Sequence, residues 1–269
     1  MIIFKSINKL NKVVNFKANI GFVPTMGALH KGHTSLIKSS KSKCKKTLVS
    51  IFINPSQFNK KNDYRKYPRK LSKDILILKK LKVDYLLIPK ISEIYKNKKS
   101  MKIKISNKDK VLCARYRPGH FEGVLAVIKQ FLTNIPLKYM FLGEKDYQQI
   151  YLIKKFIINK FNTKIIPCKT IRLNNSLAYS SRNFLLSKSD IKKAYFVSNI
   201  VKKFYLLLKK NFKNIKQIKD LKKKIELEKV KIEYLEIRNK INFSTKIKKS
   251  NFKIFISFYI NNVRLIDNF

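Results

Sequence analysis

Residues 24–33 read Pro-Thr-Met-Gly-Ala-Leu-His-Lys-Gly-His, and this run holds two of the three histidines and two of the six glycines in the chain. His30 and His33 are three residues apart, so they share one side of a helical turn. Two imidazoles so placed can donate hydrogen bonds to charge developing at an α-phosphate. A donor aimed at a transition-state oxyanion contributes about 3 kcal/mol. An exposed surface charge contributes about 1 kcal/mol at most. The histidine pair therefore counts for more in rate than many scattered lysines. Gly27 and Gly32 let backbone amides approach a phosphate. A junction from strand to helix adds a helix N-terminus, where anions are favoured. Neither GxxxxGK[ST] nor GxGxxG occurs in the run, so it is neither a P-loop nor a dinucleotide fingerprint.

Three further segments carry groups with chemistry. In residues 52–58, FINPSQF, Asn54 and Gln57 are neutral polar side chains suited to a hydroxyl or carboxylate of a small substrate. In residues 143–149, GEKDYQQ, Gly143 would let a nucleotide lie close, Lys145 would meet phosphate and Asp146 would accept from a ribose hydroxyl. A plain helix start carries acidic residues in the same way. In Ser180-Ser181-Arg182-Asn183, two hydroxyls and a guanidinium form a phosphate clamp; as a tetrapeptide it has little specificity.

The elements that must position these groups follow from hydrophobic patterning. Residues 20–24 (IGFVP) and 47–53 (TLVSIFI) read as short buried strands. A helix is expected over about 33–44 and another over 71–81, where Leu71, Ile75, Leu78 and Leu81 fall at helical spacing. Residues 84–88, 138–142 and 163–167 are strand-like, and 122–133 and 148–160 helical. This alternation predicts an α/β domain: a Rossmann-like parallel sheet with helices on both faces. Ligands bind at the C-terminal ends of such strands, so the loops after Pro24, Ile53 and Leu142 are the informative ones. From about 188 to 229 the pattern is helical and lysine-rich, followed by strands over 232–237, 252–260 and 263–266. The organisation expected is a Rossmann-like domain over 1–172 and a smaller α+β domain over 173–269.

Composition bounds the class. The 269 residues include 62 Lys and Arg against 15 Asp and Glu, a formal charge of +47, yet 45% are hydrophobic. That hydrophobic share excludes a disordered chain. The basic residues are spread along the whole chain instead of gathered on one arm. Lys, Asn, Ile and Phe are abundant while Gly, Pro and Trp are scarce, the mark of A/T-rich codons. The charge is therefore read as background, with no specific nucleic-acid partner. Cys44, Cys113 and Cys168 are far apart and odd in number, with no CxxC pair, so each reads as a small buried apolar residue in a reducing compartment. Lysines interrupt every apolar run well before the roughly 18 residues of a membrane span. A cytoplasmic enzyme without a membrane partner is expected. The alternatives in view are another adenylyltransferase of the HxGH kind and a basic nucleic-acid-binding protein.

Taken together the segments resemble one family, the pantothenate synthetases (pantoate–β-alanine ligases), within the HxGH nucleotidyl-transferring superfamily. PTMGALHKGH, SIFINPSQF, YPRKL, RPGHFEGV, LGEKDYQQ, LAYSSRN, YLEIR and RLIDN occur in the family's order along almost the whole chain. The resemblance implies a two-domain homodimer that condenses (R)-pantoate with β-alanine through a pantoyl adenylate, releasing AMP and pyrophosphate, with Mg²⁺ accompanying ATP. It implies that the domain over 1–172 binds ATP and pantoate and that the domain over 173–269 is a lid. It implies that Met26, Gly27, Ala28, Leu29, His30, Lys31, Gly32 and His33 bind ATP, with His33 catalytic and His30 its companion. Gly143, Glu144, Lys145 and Asp146 join them, Lys145 acting at the phosphates. Ile171, Tyr179, Ser180, Ser181 and Arg182 complete the ATP set, with Arg182 also catalytic. Gln57 and Gln149 would hold pantoate, Gln57 would also help place β-alanine, and Asn54 would stand second to Gln57 in the substrate pocket. His120, in RPGHF, lines the site or supports it. Three positions depart from the family's pattern. Lys73-Asp74 stands where adjacent acidic residues are usual, leaving Asp74 alone beside the metal. Ser176 replaces a glycine, and Tyr179 replaces Met or Leu.

Overall fold

The computed structural model describes residues 1–59, 61–95 and 103–269. They divide into two compact units, Met1–Asn107 with Arg117–Thr170, and Lys108–Tyr116 with Ile171–Phe269.

The first unit begins with β1 (Ile2–Phe4), α1 (Ile7–Val13), β2 (Ile20–Thr25), α2 (Lys31–Lys43) and β3 (Lys46–Ile51). There follow α3 (Lys61–Lys66), α4 (Leu71–Lys80), β4 (Tyr85–Leu87) and α5 (Ile91–Ile94). After α6 (Cys113–Tyr116), which belongs to the second unit, come α7 (His120–Asn134), β5 (Tyr139–Gly143), α8 (Tyr147–Ile157) and β6 (Lys164–Cys168). The six strands form one parallel sheet in the order β1-β4-β3-β2-β5-β6. Strand β2 pairs with β3 on one side and β5 on the other, so the order reverses there. Such a switch point opens a crevice at the strands' carboxyl ends.

Alternation along β2 explains the two covered faces. Phe22 meets Phe131 of α7 edge-on, ring centroids 5.3 Å apart. Val23 points the other way, into a core with Leu36 and Ile37 of α2, Val49 and Ile51 of β3, and Leu78 of α4. Both faces are dry, which is why these strands read as continuous apolar runs. The Rossmann-like sheet expected from sequence is present; β1 is the strand of this sheet the patterning did not show, and the short α1, α3, α5 and α6 were not expected either. The expected strands and helices agree with the observed ones within a few residues, apart from the single helix over 188–229.

In the second unit that stretch is two helices, α9 (Lys188–Lys210) and α10 (Ile218–Leu227), separated by a 3-10 turn. Ser187 and Asp190 form a capping box at the start of α9. Asn211 ends α9, and its side chain accepts from Lys213 N, capping the next turn. Before α9 lies a hairpin, β7 (Arg172–Leu173) and β8 (Leu177–Ala178). After α10 comes an antiparallel sheet, β11-β10-β9, built from β9 (Lys231–Asn239), β10 (Phe252–Ile260) and β11 (Val263–Asn268). Val197, Val201 and Leu208 of α9 pack with Ile254, Ile256 and Phe258 of β10. Cys113 on α6 lies 3.0 Å from the Tyr234 hydroxyl and 3.4 Å from Arg264. All three cysteines are free and buried, but Cys113 sits in a polar network and is not the plain apolar filler expected. No helix among the described residues is long and apolar enough to cross a membrane.

Candidate active site

The loop after β2 turns on two left-handed residues, Gly27 at φ +76° and Ala28 at φ +50°. Gly27 is required there: a Cβ would lie 3.0 Å from Asp74 Oδ2 and 3.2 Å from Ile51 Cγ2. The loop's amides are used inside the protein. Gly27 N donates to Thr25 Oγ1 (3.2 Å), and Ala28 N and Leu29 N donate to the two oxygens of Asp74 (2.8 Å each). His30 is the N-cap of α2, its Nδ1 accepting from Gly32 N at 3.1 Å. This corrects the expectation that the two glycines present these amides to a phosphate. Side chains must do more of that work.

Those side chains converge. The His30 and His33 rings lie 4.1 Å apart at 35°. Burial pushes the His30 pKa down to about 2, helped by the charges of His33 and Lys145. Burial also pushes His33 down to about 4, with Asp146 pulling it up and Lys145 pushing it down. Both imidazoles are therefore neutral near pH 7. Because His30 Nδ1 accepts a bond, its proton is on Nε2, which is a donor. Lys145 Nζ lies 3.5 Å from Asp146 Oδ1, in the 3-10 turn after β5. The loops after β2 and β5 thus bring two neutral donors and one cation to the switch point, as a phosphate-handling site needs.

The depressed histidines also set a pH dependence of stability. Their unfolded value is 6.5 and their folded values about 2 and 4. Below pH 6.5 the unfolded chain takes up these protons first, so stability falls as pH drops. Melting temperature measured from pH 8 to 4 should fall more steeply for the wild type than for a His30→Ala, His33→Ala double variant. Equal slopes would show that the two rings titrate normally.

The loop after β3 is held from several sides. Asn54 is 1% exposed. Its Nδ2 donates to Gly123 O at 3.1 Å, and its Oδ1 accepts from Ser56 N, Ser56 Oγ and the Tyr95 hydroxyl. Asn54 therefore ties its loop to α7 and α5. The carbonyl of Gln57 accepts from Arg117 (2.9 Å) and from His120 Nδ1 (2.7 Å), while Arg117 also donates to His120 Nε2 at 3.0 Å. His120 is thus a support for Gln57. Arg117 does the same work, while the Tyr95 hydroxyl holds Asn54 and Ser56; neither was singled out in the sequence, and the RPGHF motif was the signal for Arg117. A Cβ on Gly123 would stand 2.5 Å from Ser56 O. Gly123→Ala should therefore cost about 1–3 kcal/mol in stability and displace Gln57. Denaturant unfolding checks the first effect, and a raised KM for the small acid checks the second. Gln149, on the first turn of α8, is partly exposed, next to buried Gln148.

The second unit holds Ile171, Tyr179, Ser180, Ser181 and Arg182. Tyr179 N donates to Ile171 O (3.1 Å), extending the β7–β8 hairpin. The hairpin turns on Asn174 and Asn175, both at positive φ. Ser176 is buried and bonds Asn199 through its hydroxyl at 3.3 Å. Ser180 caps a 3-10 turn by accepting from Arg182 N at 3.2 Å. Ser181 is buried, and Arg182 is partly exposed.

Asp74, expected beside Mg²⁺, is 2% exposed with a loop amide on each oxygen. Among the described residues no three His, Cys, Asp or Glu side chains form a group able to hold a metal ion. The residues present do not fit a protein-held metal.

A parallel α/β sheet with neutral histidines and a lysine at its switch point defines a nucleotide-using enzyme of the HxGH type. The profile of the pantoate-beta-alanine ligase family matches residues 2–269. The pantothenate synthetase of Francisella tularensis subsp. novicida (strain U112) is 42% identical over 277 residues, spanning 100% of this chain and 97% of the relative. A crystal structure of pantoate-beta-alanine ligase from Francisella tularensis, complexed with beta-gamma ATP and beta-alanine, is 40% identical with a TM-score of 0.86, covering 100% of this chain and 97% of that one. Pantothenate synthetase from Thermus thermophilus superposes with a TM-score of 0.91 at 26% identity, covering 100% and 99%. The chain belongs to the pantoate-beta-alanine ligase family, and it is a ligase.

Proposed function

We propose that this chain joins (R)-pantoate to β-alanine at the expense of ATP. In the first step a pantoate carboxylate oxygen attacks the α-phosphorus, and the bond to pyrophosphate breaks. In the second the β-alanine amine attacks the acyl carbon, its proton is lost, and AMP leaves with the former carboxylate oxygen. A free carboxylate is a poor acylating agent, and adenylation turns its oxygen into a leaving group. The observation that carries the reading is the meeting of His30, His33 and Lys145 at the β2–β5 switch point, in a chain matched end to end by the family.

In this reading His33 and His30 donate to the α-phosphate oxygens, Lys145 neutralises charge on the phosphates, and Asp146 takes the ribose. Residues Met26 to His33 and Gly143 to Asp146 border the nucleotide, and the family resemblance adds Ile171 and Tyr179 to Arg182 to the ATP set, with Arg182 at the triphosphate. Gln57 and Gln149 hold pantoate, and Gln57 also places β-alanine, with Asn54 fixing the loop that carries Gln57. Mg²⁺ enters with ATP, as part of that substrate. The free buried cysteines suit a reducing cytoplasm, and the family resemblance carries a homodimer with it, which light scattering checks.

The test is product identity. With ATP, pantoate and β-alanine the chain should form AMP, pyrophosphate and pantothenate, with pantothenate requiring both acids. ADP as the nucleotide product sinks the proposal.

A further inference from the structure

Asp74 stands in the first turn of α4, where an anion is favoured. It is 2% exposed, and its oxygens each take one amide, from Ala28 and Leu29, across 46 and 45 residues of sequence. Those amides frame the strained part of the phosphate loop. Ala28 is a non-glycine residue at φ +50°, a conformation that persists only when surroundings impose it. Leu29, the second anchor, is buried in the core, and the next residue is His30, the N-cap of α2. A fixed path therefore runs from the carboxylate through two amides to the ring that takes Gly32 N, and one turn on to His33.

We propose that Asp74 is a positioning residue for the two histidines, acting through the amides of Ala28 and Leu29, and is not a ligand of the metal that accompanies ATP. The proposal rests on the adenylating reading of the site. Three observations support it. Each oxygen already accepts a short amide bond, and almost none of the residue is open to solvent. Burial pushes the Asp74 carboxyl above its ordinary value even against the bonds from Leu29 and Ala28 and the charges of Lys70 and Lys73, so its charge is a cost that the held loop explains. And the neighbour in sequence is Lys73, a cation that disfavours a divalent ion at that place.

The first test uses the wild-type chain. In ¹H–¹⁵N spectra the Ala28 and Leu29 amides should titrate together with the Asp74 carboxyl, and should stay in place when MgCl₂ alone is added. Saturable movement of both amides with MgCl₂ alone would overturn the proposal. The second test is Asp74→Asn, in which an amide nitrogen faces one of the two N–H donors. In a variant with wild-type circular dichroism, kcat for pantoate-dependent pyrophosphate release should fall about ten- to hundredfold, as for a misplaced reacting group. The Mg²⁺ concentration for half-maximal rate should not change. Wild-type kcat, or a loss recovered by raising Mg²⁺, would overturn it. A wild-type chain that releases no pyrophosphate with pantoate would sink the adenylating reading instead, and the amide spectra would still report what Asp74 holds.

Discussion

Replacing His33 by alanine should lower turnover about 10²- to 10³-fold, the loss expected for one donor to a transition-state oxyanion. The effect is large because the ring is held neutral and partly stripped of water. Its pKa, about 4, leaves it uncharged at pH 7, so what it can offer a phosphate is a hydrogen bond and not a positive charge. The donor is also rigid. The His30 ring lies against it at 4.1 Å, and His30 is fixed by its bond from Gly32 N. Alanine removes the donor and leaves the helix intact, since α2 is capped by His30 and not by His33. The measurement is single-turnover formation of the adenylate, with the melting temperature as a control. A well-folded variant with near-normal turnover would remove His33 from the chemistry.

Lys145→Ala should cost about 10²-fold or more in the adenylation rate, through loss of a preorganised cation at the phosphates. It should also move the acid limb of the pH–rate profile. The Lys145 charge lowers the pKa of both His30 and His33, so its removal raises both, and on His33 only burial is then left to oppose the pull of Asp146. The limb of kcat/KM for ATP should shift to higher pH in the variant. Lys145→Arg keeps the charge and should keep the limb in place. A limb that stays put in the alanine variant would mean that Lys145 does not sense the histidines in solution. A rate loss without a limb shift would assign it to nucleotide binding alone.

The sequence by itself determined the class of fold and the loops that matter. Runs such as Thr47-Leu-Val-Ser-Ile read as strands covered on both faces, and the glycine and histidine pattern of residues 24–33 reads as the loop that follows one of them. These are local signals, carried by side-chain period and by residues with special backbone freedom. Which groups face the substrates was not local. Asn54 looked like a substrate contact but is buried, with its side chain bonded to α7, α5 and its own loop. His120 and Arg117 reach back 63 and 60 residues to hold Gln57. Asp74 looked like the remnant of a metal site, while its carboxylate holds a loop 45 residues earlier. Of the two glycines that seemed to open amides to phosphate, Gly27 instead makes room for that carboxylate, and Gly32 gives its amide to the His30 cap. Each of these roles depends on which donors meet which acceptors once the strands are paired. A buried polar group must be satisfied, and only the tertiary structure decides by whom.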